Sequence, residues 1–566
     1  MPGGANLKNI RVYCNQTSLD GPPVSSDSQI GLAFIVYLGI LLVGYDGAIA
    51  GSVVSQPFFE TEFGLVNPDG TINNPKDTEI SSNVVSFFPL GALFGALGSA
   101  PASGRLLHII GSGADEPSWF LLLSLSLEFG AQILTTVAGG SRGINYVYAG
   151  RIVSGIGIGG MSAVSPTYVS ECAPKSARGR ITGAFQIMIA TGSMISYFVS
   201  FGVGLHMENS ENIWRVPFGL QLVPAGMMCL GLFTVKESPR WLASRGRTQE
   251  AIVNLAYFRK EPRDSPEVQR EMVEIDTAIR EEHAARKGLG LREAFFGRGN
   301  FIRFVIAFLL VTLHDWSGQM SVTIYAPQIF SSLGYTGIKN SLLSSGIYGV
   351  VKVVATVIAV LFFVDTLGRK ISLFISAMGM GVMFFIVGAI LKTHPIHSIS
   401  SSHTTTPSPA SKAMAAMLYI FVCFYSMGMG PVPWIYVSEI FPTRTRHYGL
   451  AIAAATWWLF GFVVLKITPT LVANLGYNLF FMFAAINMGG MAVLSVQVSK
   501  VATFPVVFIF LFSFLPETKG RSLEEMDITF GTVSYEAREA FIKIQEQELK
   551  HEFTDVASEH PVQRRF

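Results

Sequence analysis

The stretch YVSECAPKSAR, residues 168 to 178, returns 268 positions later as YVSEIFPTRTR, residues 436 to 446. Six of the eleven positions match, and Glu171 and Arg178 of the first copy answer to Glu439 and Arg446 of the second. A carboxylate followed by a guanidinium is chemistry for ionic pairs, because the planar fork of Arg can bond both carboxylate oxygens in one geometry and release them in another. Three more ionisable groups interrupt runs that are otherwise apolar: His314 and Asp315 in LHDWSGQM, and Glu128 in LSLEFGAQIL. At membrane depth such groups cost a few kcal/mol, so each is a functional candidate by default. His314 and Asp315 read either as a mutual pair or as a dyad facing a ligand, and Glu128 as either snorkelling or pairing with a neighbouring helix. No nucleophile, metal or phosphate-loop pattern appears, so no enzyme, cofactor or metal site is expected.

The elements that must carry these residues are membrane helices. The chain has 566 residues, 50% hydrophobic and 14% charged, with mean hydropathy +0.43, whereas soluble proteins carry about a quarter charged residues. Its apolar runs reach the roughly 20 residues that a helix needs to cross a bilayer. Spans are predicted near 31–55, 81–102, 118–138, 145–168, 181–204 and 215–235, and again near 302–331, 342–364, 371–391, 414–437, 448–473 and 479–515. Six and six agree with a duplication. The reading is therefore an all-α membrane protein of twelve transmembrane helices in two six-helix bundles. Its parts are a tail (1–28), the first bundle (29–235), a solvated connector of short amphipathic helices (236–301), the second bundle (302–515) and a second tail (516–566). Lys175, Arg178, Arg180, Arg240, Arg245, Arg247, Arg369, Lys370, Arg444, Arg446, Lys519 and Arg521 fall on one side of this topology. The positive-inside rule makes that side cytosolic and puts both termini there. A net charge of +2 gives no sign of a nucleic-acid partner. Cys14, Cys172, Cys229 and Cys423 lack any metal or disulfide spacing and read as small buried residues.

Six motifs in order resemble the sugar porter family of the major facilitator superfamily, from about Leu42 to Asp527. They are GYDGAIAG (44–51), RIVSGIGIGG with SPTYVSECAPKSARGR, ESPRWLASRGR (237–247), DTLGRK (365–370), GPVPWIYVSEIFP (430–442) and PETKGRSLEEMD (516–527). The wording is closest to fungal members, including quinate-permease-like ones. The resemblance implies two bundles rocking about a midplane site. It implies a cytosolic latch made by Glu171, Arg178, Glu439, Arg446, Asp365 and Arg369, with Glu237 and Arg240 of the connector. It also implies that Asp46 in the first span and Arg151 in the fourth form a proton switch.

By position within the motifs, the resemblance implies that Gln186, Trp434 and Trp458 meet the substrate. On the seventh span the family pattern is broken: His314 and Asp315 occupy the places of two glutamines and Met320 that of an asparagine, while Trp457 and Gly461 replace amides found in some members. A charge pair and apolar surface thus stand where amides would meet a hexose. Arg105 is kept after the second span, but Gly104 replaces the usual aspartate. The last run, 479–515, is nearly twice a span and contains Lys500 and Pro505, as an insertion or retained intron sequence would produce. The leading expectation is proton-coupled uptake of a sugar, polyol or quinate-like hydroxy-acid by a monomer in the plasma membrane. The alternatives are an exporter of a fungal secondary metabolite and a non-transporting nutrient sensor.

Overall fold

The computed structural model describes residues 27–65, 74–101, 117–172, 178–207, 210–286, 291–297, 299–335, 337–363, 366–395, 407–442 and 445–489. The first expected tail up to residue 26, the second tail, Gly104 and Arg105, Asp365, and the long run beyond residue 489 with its expected insertion lie outside the described residues. Among the described residues the regular structure is entirely helical. The first half comprises α1 (Asp27–Val54), α2 (Asn74–Pro101), α3 (Pro117–Thr136), α4 (Asn145–Cys172), α5 (Arg178–His206) and α6 (Leu222–Leu232), the last preceded by a turn of helix at Arg215–Gly219. The second half comprises α7 (Asn300–Trp316), α8 (Ile338–Ile358), α9 (Arg369–Thr393), α10 (Pro409–Met427), α11 (Arg446–Leu475) and α12 (Asn478–Met488). Ten spans among the described residues are long and apolar enough to cross a membrane, and Phe120–Thr136 and Asn478–Met488 are shorter apolar helices.

The two halves repeat one packing scheme. In the first, α1 packs on α5, α2 on α4, and α3 on both α4 and α6; in the second, α7 packs on α11, α8 on α10, and α9 on both α10 and α12. The halves meet where α2 lies along α11 and α5 along α8. Small residues set the closest approaches, as in membrane interfaces generally, where packing must replace the hydrophobic effect. Gly91 and Gly95 of α2 face Gly155 and Gly159 of α4. A Cβ at Gly91 would lie 2.1 Å from Ile152 O, and one at Gly155 2.1 Å from Phe88 O. That reciprocal pair lets two backbones touch and brings the polar face of α4 toward α1.

Two spans expected as continuous are broken. α7 stops at Trp316 and resumes, after Gly318 at φ +85°, as Gln319–Ile324 and Ala326–Ser332. Glycine is needed there for the left-handed backbone, and Phe483 and Phe384 pack on its bare α-carbon. α10 gives way at Gly428–Pro431 to a second segment, Val432–Ile440. Both breaks expose backbone and side chains toward the seam between the halves.

The connector is more than a solvated strap. Its helices Pro239–Ser244, Thr248–Arg259 and Pro266–Arg286 bury Leu242, Leu255, Val268 and Met272 in a core of their own. Arg259 grips Glu271 through two bonds of 2.6 and 2.8 Å and donates to Cys172 O at the end of α4. This end of the molecule is called the connector end below, and the opposite one the far end. Cys172 is buried and Cys229 and Cys423 are partly buried, all as free thiols.

Candidate functional site

Asp46 sits mid-way along α1, wholly buried, in a run where any ion must find its partners inside the protein. Arg151 and Ser154, one turn apart on α4, both donate to its carboxylate, Arg151 through Nη1 and Ser154 through Oγ. Arg151 is buried too. Its remaining donors bond Asp46 O and Val84 O, each at 3.0 Å, and its guanidinium lies 4.8 Å from the centre of the Phe88 ring. One arginine thus ties α1, α2 and α4 together. The sequence-predicted pair is therefore in direct contact. Glu128 of α3 is buried beside it, within electrostatic reach of Asp46 and Arg151. It accepts a 2.7 Å bond from Gln132, whose amide also bonds Gln221 ahead of α6. Glu128 is thus buried rather than snorkelling, its hydrogen bond is made within α3, and Gln132 carries the contact across to the sixth span.

A cavity of about 820 Å³ of atom-free space, mouth included, lies between the halves at the depth of the helix breaks. Its lining brings together Gln186 of α5, His314 of α7, Met320 beyond the break, Trp434 beyond the α10 break, and Trp458 of α11. These are five of the six residues singled out from the motifs. Asp315, the sixth, is fully buried but does not line the cavity. It stands behind His314, its Oδ1 3.2 Å from His314 Nδ1. The other ring nitrogen, His314 Nε2, lies 3.2 Å from Tyr425 OH, so the imidazole bridges the buried carboxyl and the tyrosine hydroxyl. The amide of Gln186 reaches the same tyrosine hydroxyl.

One wall is aromatic. Trp434 meets Trp457 edge-on at 5.5 Å, Trp457 lies 4.4 Å from Trp458, and Trp458 meets Phe88 at 5.9 Å and 88°. Phe88 is the ring beneath Arg151, so a continuous set of contacts joins the Asp46 pair to the cavity wall. The indole N–H of Trp457 is buried and finds no hydrogen-bond partner among the described residues. The other wall is polar: Gln319 donates to Thr323 Oγ1 at 2.8 Å, and Tyr348 OH lies 3.2 Å from the same oxygen. Lys352, half-way along α8, also projects here and is only 4% exposed. Sequence reasoning missed Lys352, Tyr425, Gln319 and Thr323. Lys352 had a legible signal, since it is a lone basic residue inside the apolar run GVVKVVATVIAVLFF.

The far end is shut. Gly51 of α1 packs so closely on Ile324 that a Cβ would lie 1.8 Å from its carbonyl oxygen. Tyr197 of α5 donates to Thr323 O, and Lys466 of α11 bonds Ser82 and Asn83 of α2. At the connector end, Arg369 holds Glu439 through bonds of 2.8 and 3.2 Å within the second half. In the first half, Ser238 donates to Glu171 at 2.6 Å while capping its own helix, and Asn254 bonds Glu237 O at 3.0 Å. Arg446 donates to Phe441 O at 3.4 Å. Arg178 begins α5, and Arg240 lies in the helix Pro239–Ser244 just after Glu237.

The sequence model of the family described as sugar (and other) transporter matches residues 32–530. A probable quinate permease of Neosartorya fischeri is 33% identical over 535 residues, 93% of this chain and 92% of its own. One from Aspergillus niger is 34% identical over 507 residues, 88% and 87% of the two chains. Among solved structures, the proton:xylose symporter XylE bound to 6-bromo-6-deoxy-D-glucose is 26% identical with a TM-score of 0.68, over 89% of this chain and 99% of that one. XylE from E. coli in a partially occluded inward-open conformation is 23% identical with a TM-score of 0.67, over 87% and 99%. The architecture is thus the major facilitator fold, twelve transmembrane helices in two six-helix bundles. This chain, a multi-pass membrane transporter and not an enzyme, belongs to the sugar (and other) transporter family of that superfamily.

Proposed function

We propose that the chain carries a polyhydroxylated small molecule, whether a sugar, polyol or quinate-like hydroxy-acid, into the cell together with a proton, by alternating exposure of the cavity between the halves. The observation that carries this reading is the continuity from Asp46 and Arg151 through Phe88 to Trp458. A proton on Asp46 removes the anion held by Arg151 and Ser154. The guanidinium, still anchored to Val84 O and the Phe88 face, then repacks α4 against α1 and moves the aromatic wall that meets the solute. Occupancy of one site thereby biases the other, as coupling requires. The names of the relatives support a hydroxy-acid and that of XylE supports a proton as co-substrate.

In this reading the moving bodies are residues 29–235 and 302–515, the connector 236–301 is cytosolic with both tails, and the far end faces outward across the plasma membrane of a monomeric carrier. Glu171, Arg178, Glu237, Arg240, Asp365, Arg369, Glu439 and Arg446 close the connector end when the far end opens. The contacts that seal the far end support an inward-facing arrangement here.

The test is uptake of radiolabelled quinate and xylose into proteoliposomes with and without an imposed pH gradient. One pH unit supports about tenfold accumulation per coupled proton. Asp46→Asn is expected to abolish accumulation while sparing exchange down the gradient. An Asn variant that still concentrates solute would remove Asp46 from the coupling site.

A further inference from the structure

The lining of the cavity has a charge without a counter-charge. Among the described residues that line it, Lys352 is the one lysine or arginine and no carboxylate is present. Asp315, the nearest candidate by sequence, is turned behind His314 and committed to it. No described carboxylate acts on the Lys352 ammonium. Its one hydrogen bond is a long contact of 3.5 Å to Thr323 Oγ1, an oxygen already engaged by Gln319 and Tyr348. The face of Tyr425, 6.0 Å off, adds little. An ammonium has three donors and is expensive to bury unpaired. A lysine serving only to pack would do so better as methionine or leucine.

We propose that Lys352 is the counter-ion of a carboxylate on the transported solute, so that the cavity selects an anionic polyhydroxy acid over the neutral sugar of the same shape. The inference rests on the transporter reading above and narrows its substrate class. The neighbours of Lys352 complete the recognition. Gln319, the His314–Tyr425 pair and the unpartnered Trp457 N–H offer bonds to ring hydroxyls, and the tryptophan wall covers an apolar ring face. One ammonium matches one carboxylate. It also has a consequence for energetics: a monoanion entering with one proton carries no net charge, so a pH gradient drives uptake and a membrane potential alone does not.

The experiment uses the full chain in proteoliposomes, with labelled quinate as probe and matched competitors, quinate against its methyl ester and gluconate against glucose. The acids are expected to compete and the uncharged partners to do so at least tenfold more weakly. Lys352→Met is expected to weaken quinate binding roughly 10- to 150-fold, the loss of a charge-assisted bond, and Lys352→Arg to recover part of it. Uptake should follow an imposed pH gradient and ignore a potassium-diffusion potential. Equal competition by glucose and gluconate on the wild type overturns the proposal without reference to any variant. Quinate uptake by Lys352→Met at the wild-type rate, or quinate uptake driven by potential alone, overturns it as well. Transport of a neutral sugar untouched by the acids would sink the carboxylate assignment while leaving the transporter reading intact. Failure of the wild type to exchange any member of either series would sink both.

Discussion

Gly51 offers a perturbation whose size can be read from the structure. Its missing side chain is what allows α1 to meet the segment Gln319–Ile324 of the other half. A Cβ there would lie 1.8 Å from Ile324 O. To restore an ordinary contact of 3.4 Å the two backbones must part by about 1.6 Å, the difference between those distances. The obstacle is backbone, which cannot swing aside as a side chain can. Overpacking of this kind costs about 1–3 kcal/mol, and here the cost falls only on the conformation in which the far end is closed. Gly51→Ala should therefore shift the equilibrium toward far-end opening by about 5- to 150-fold. The assay is labelling of a Met320→Cys reporter in the cavity by a membrane-impermeant maleimide added from the far side, read against the same protein without the reporter. Gly44→Ala is the control, because its Cβ would strike Ile189 O at 2.0 Å within the first half. It should lower thermal stability without changing the side of labelling. Gly98→Ala, with nothing within 4 Å, should do neither. If Gly51→Ala labels no faster than wild type, the contact does not gate the far end.

Three further outcomes are expected. Glu60, on the short helix Pro57–Glu62 beyond α1, has its carboxyl pushed up to about 7 by burial first and by the negative charge of Asp77 second. It therefore binds its proton more tightly folded than unfolded. That stabilisation is full at acid pH and is lost as pH rises from about 4.5 towards 7, so the fall in Tm over that window should flatten in Glu60→Gln; an unchanged profile refutes the assignment. Glu439→Gln removes the counter-charge that Arg369 holds within the second half and should cut transport several-fold at unchanged surface expression, whereas a wild-type rate would exclude that pair from the cycle. Arg215 holds the far end of the first half, bonding Glu62 at 2.8 Å and Ala138 O at 3.1 Å across the Trp214 ring; Arg215→Ala should cost about 1–3 kcal/mol, seen as a lower Tm in detergent.

The twelve spans, the doubled charged segment and the contact of Asp46 with Arg151 were legible in the chain because each leaves a mark that does not depend on packing. Length and apolarity define a span, a duplication repeats its letters, and the motifs that hold Asp46 and Arg151 resemble those of a family in which the matching residues form a pair. Gln186, Trp434 and Trp458 were legible through the motifs that carry them. The helix breaks were less so: Gly318 and the Gly-Pro run after α10 were visible as letters, but whether a glycine breaks or merely thins a membrane helix depends on what packs beside it, here Phe483, Phe384 and Ser372.

What the sequence by itself determined is therefore the number and order of the helices, their division into two sets of six, and the inventory of costly polar groups among them. Which way each of those groups faces was decided by tertiary structure alone. The reason is physical: in a bilayer the lipid-facing side of a helix is as apolar as its packed side, so periodicity does not say where a residue points. Asp315 and Lys352 are both ionisable residues in the middle of apolar runs. Packing of α7 against α11 put His314 in the cavity with Asp315 behind it, and packing of α8 against α5 and α10 aimed Lys352 into the space between the halves.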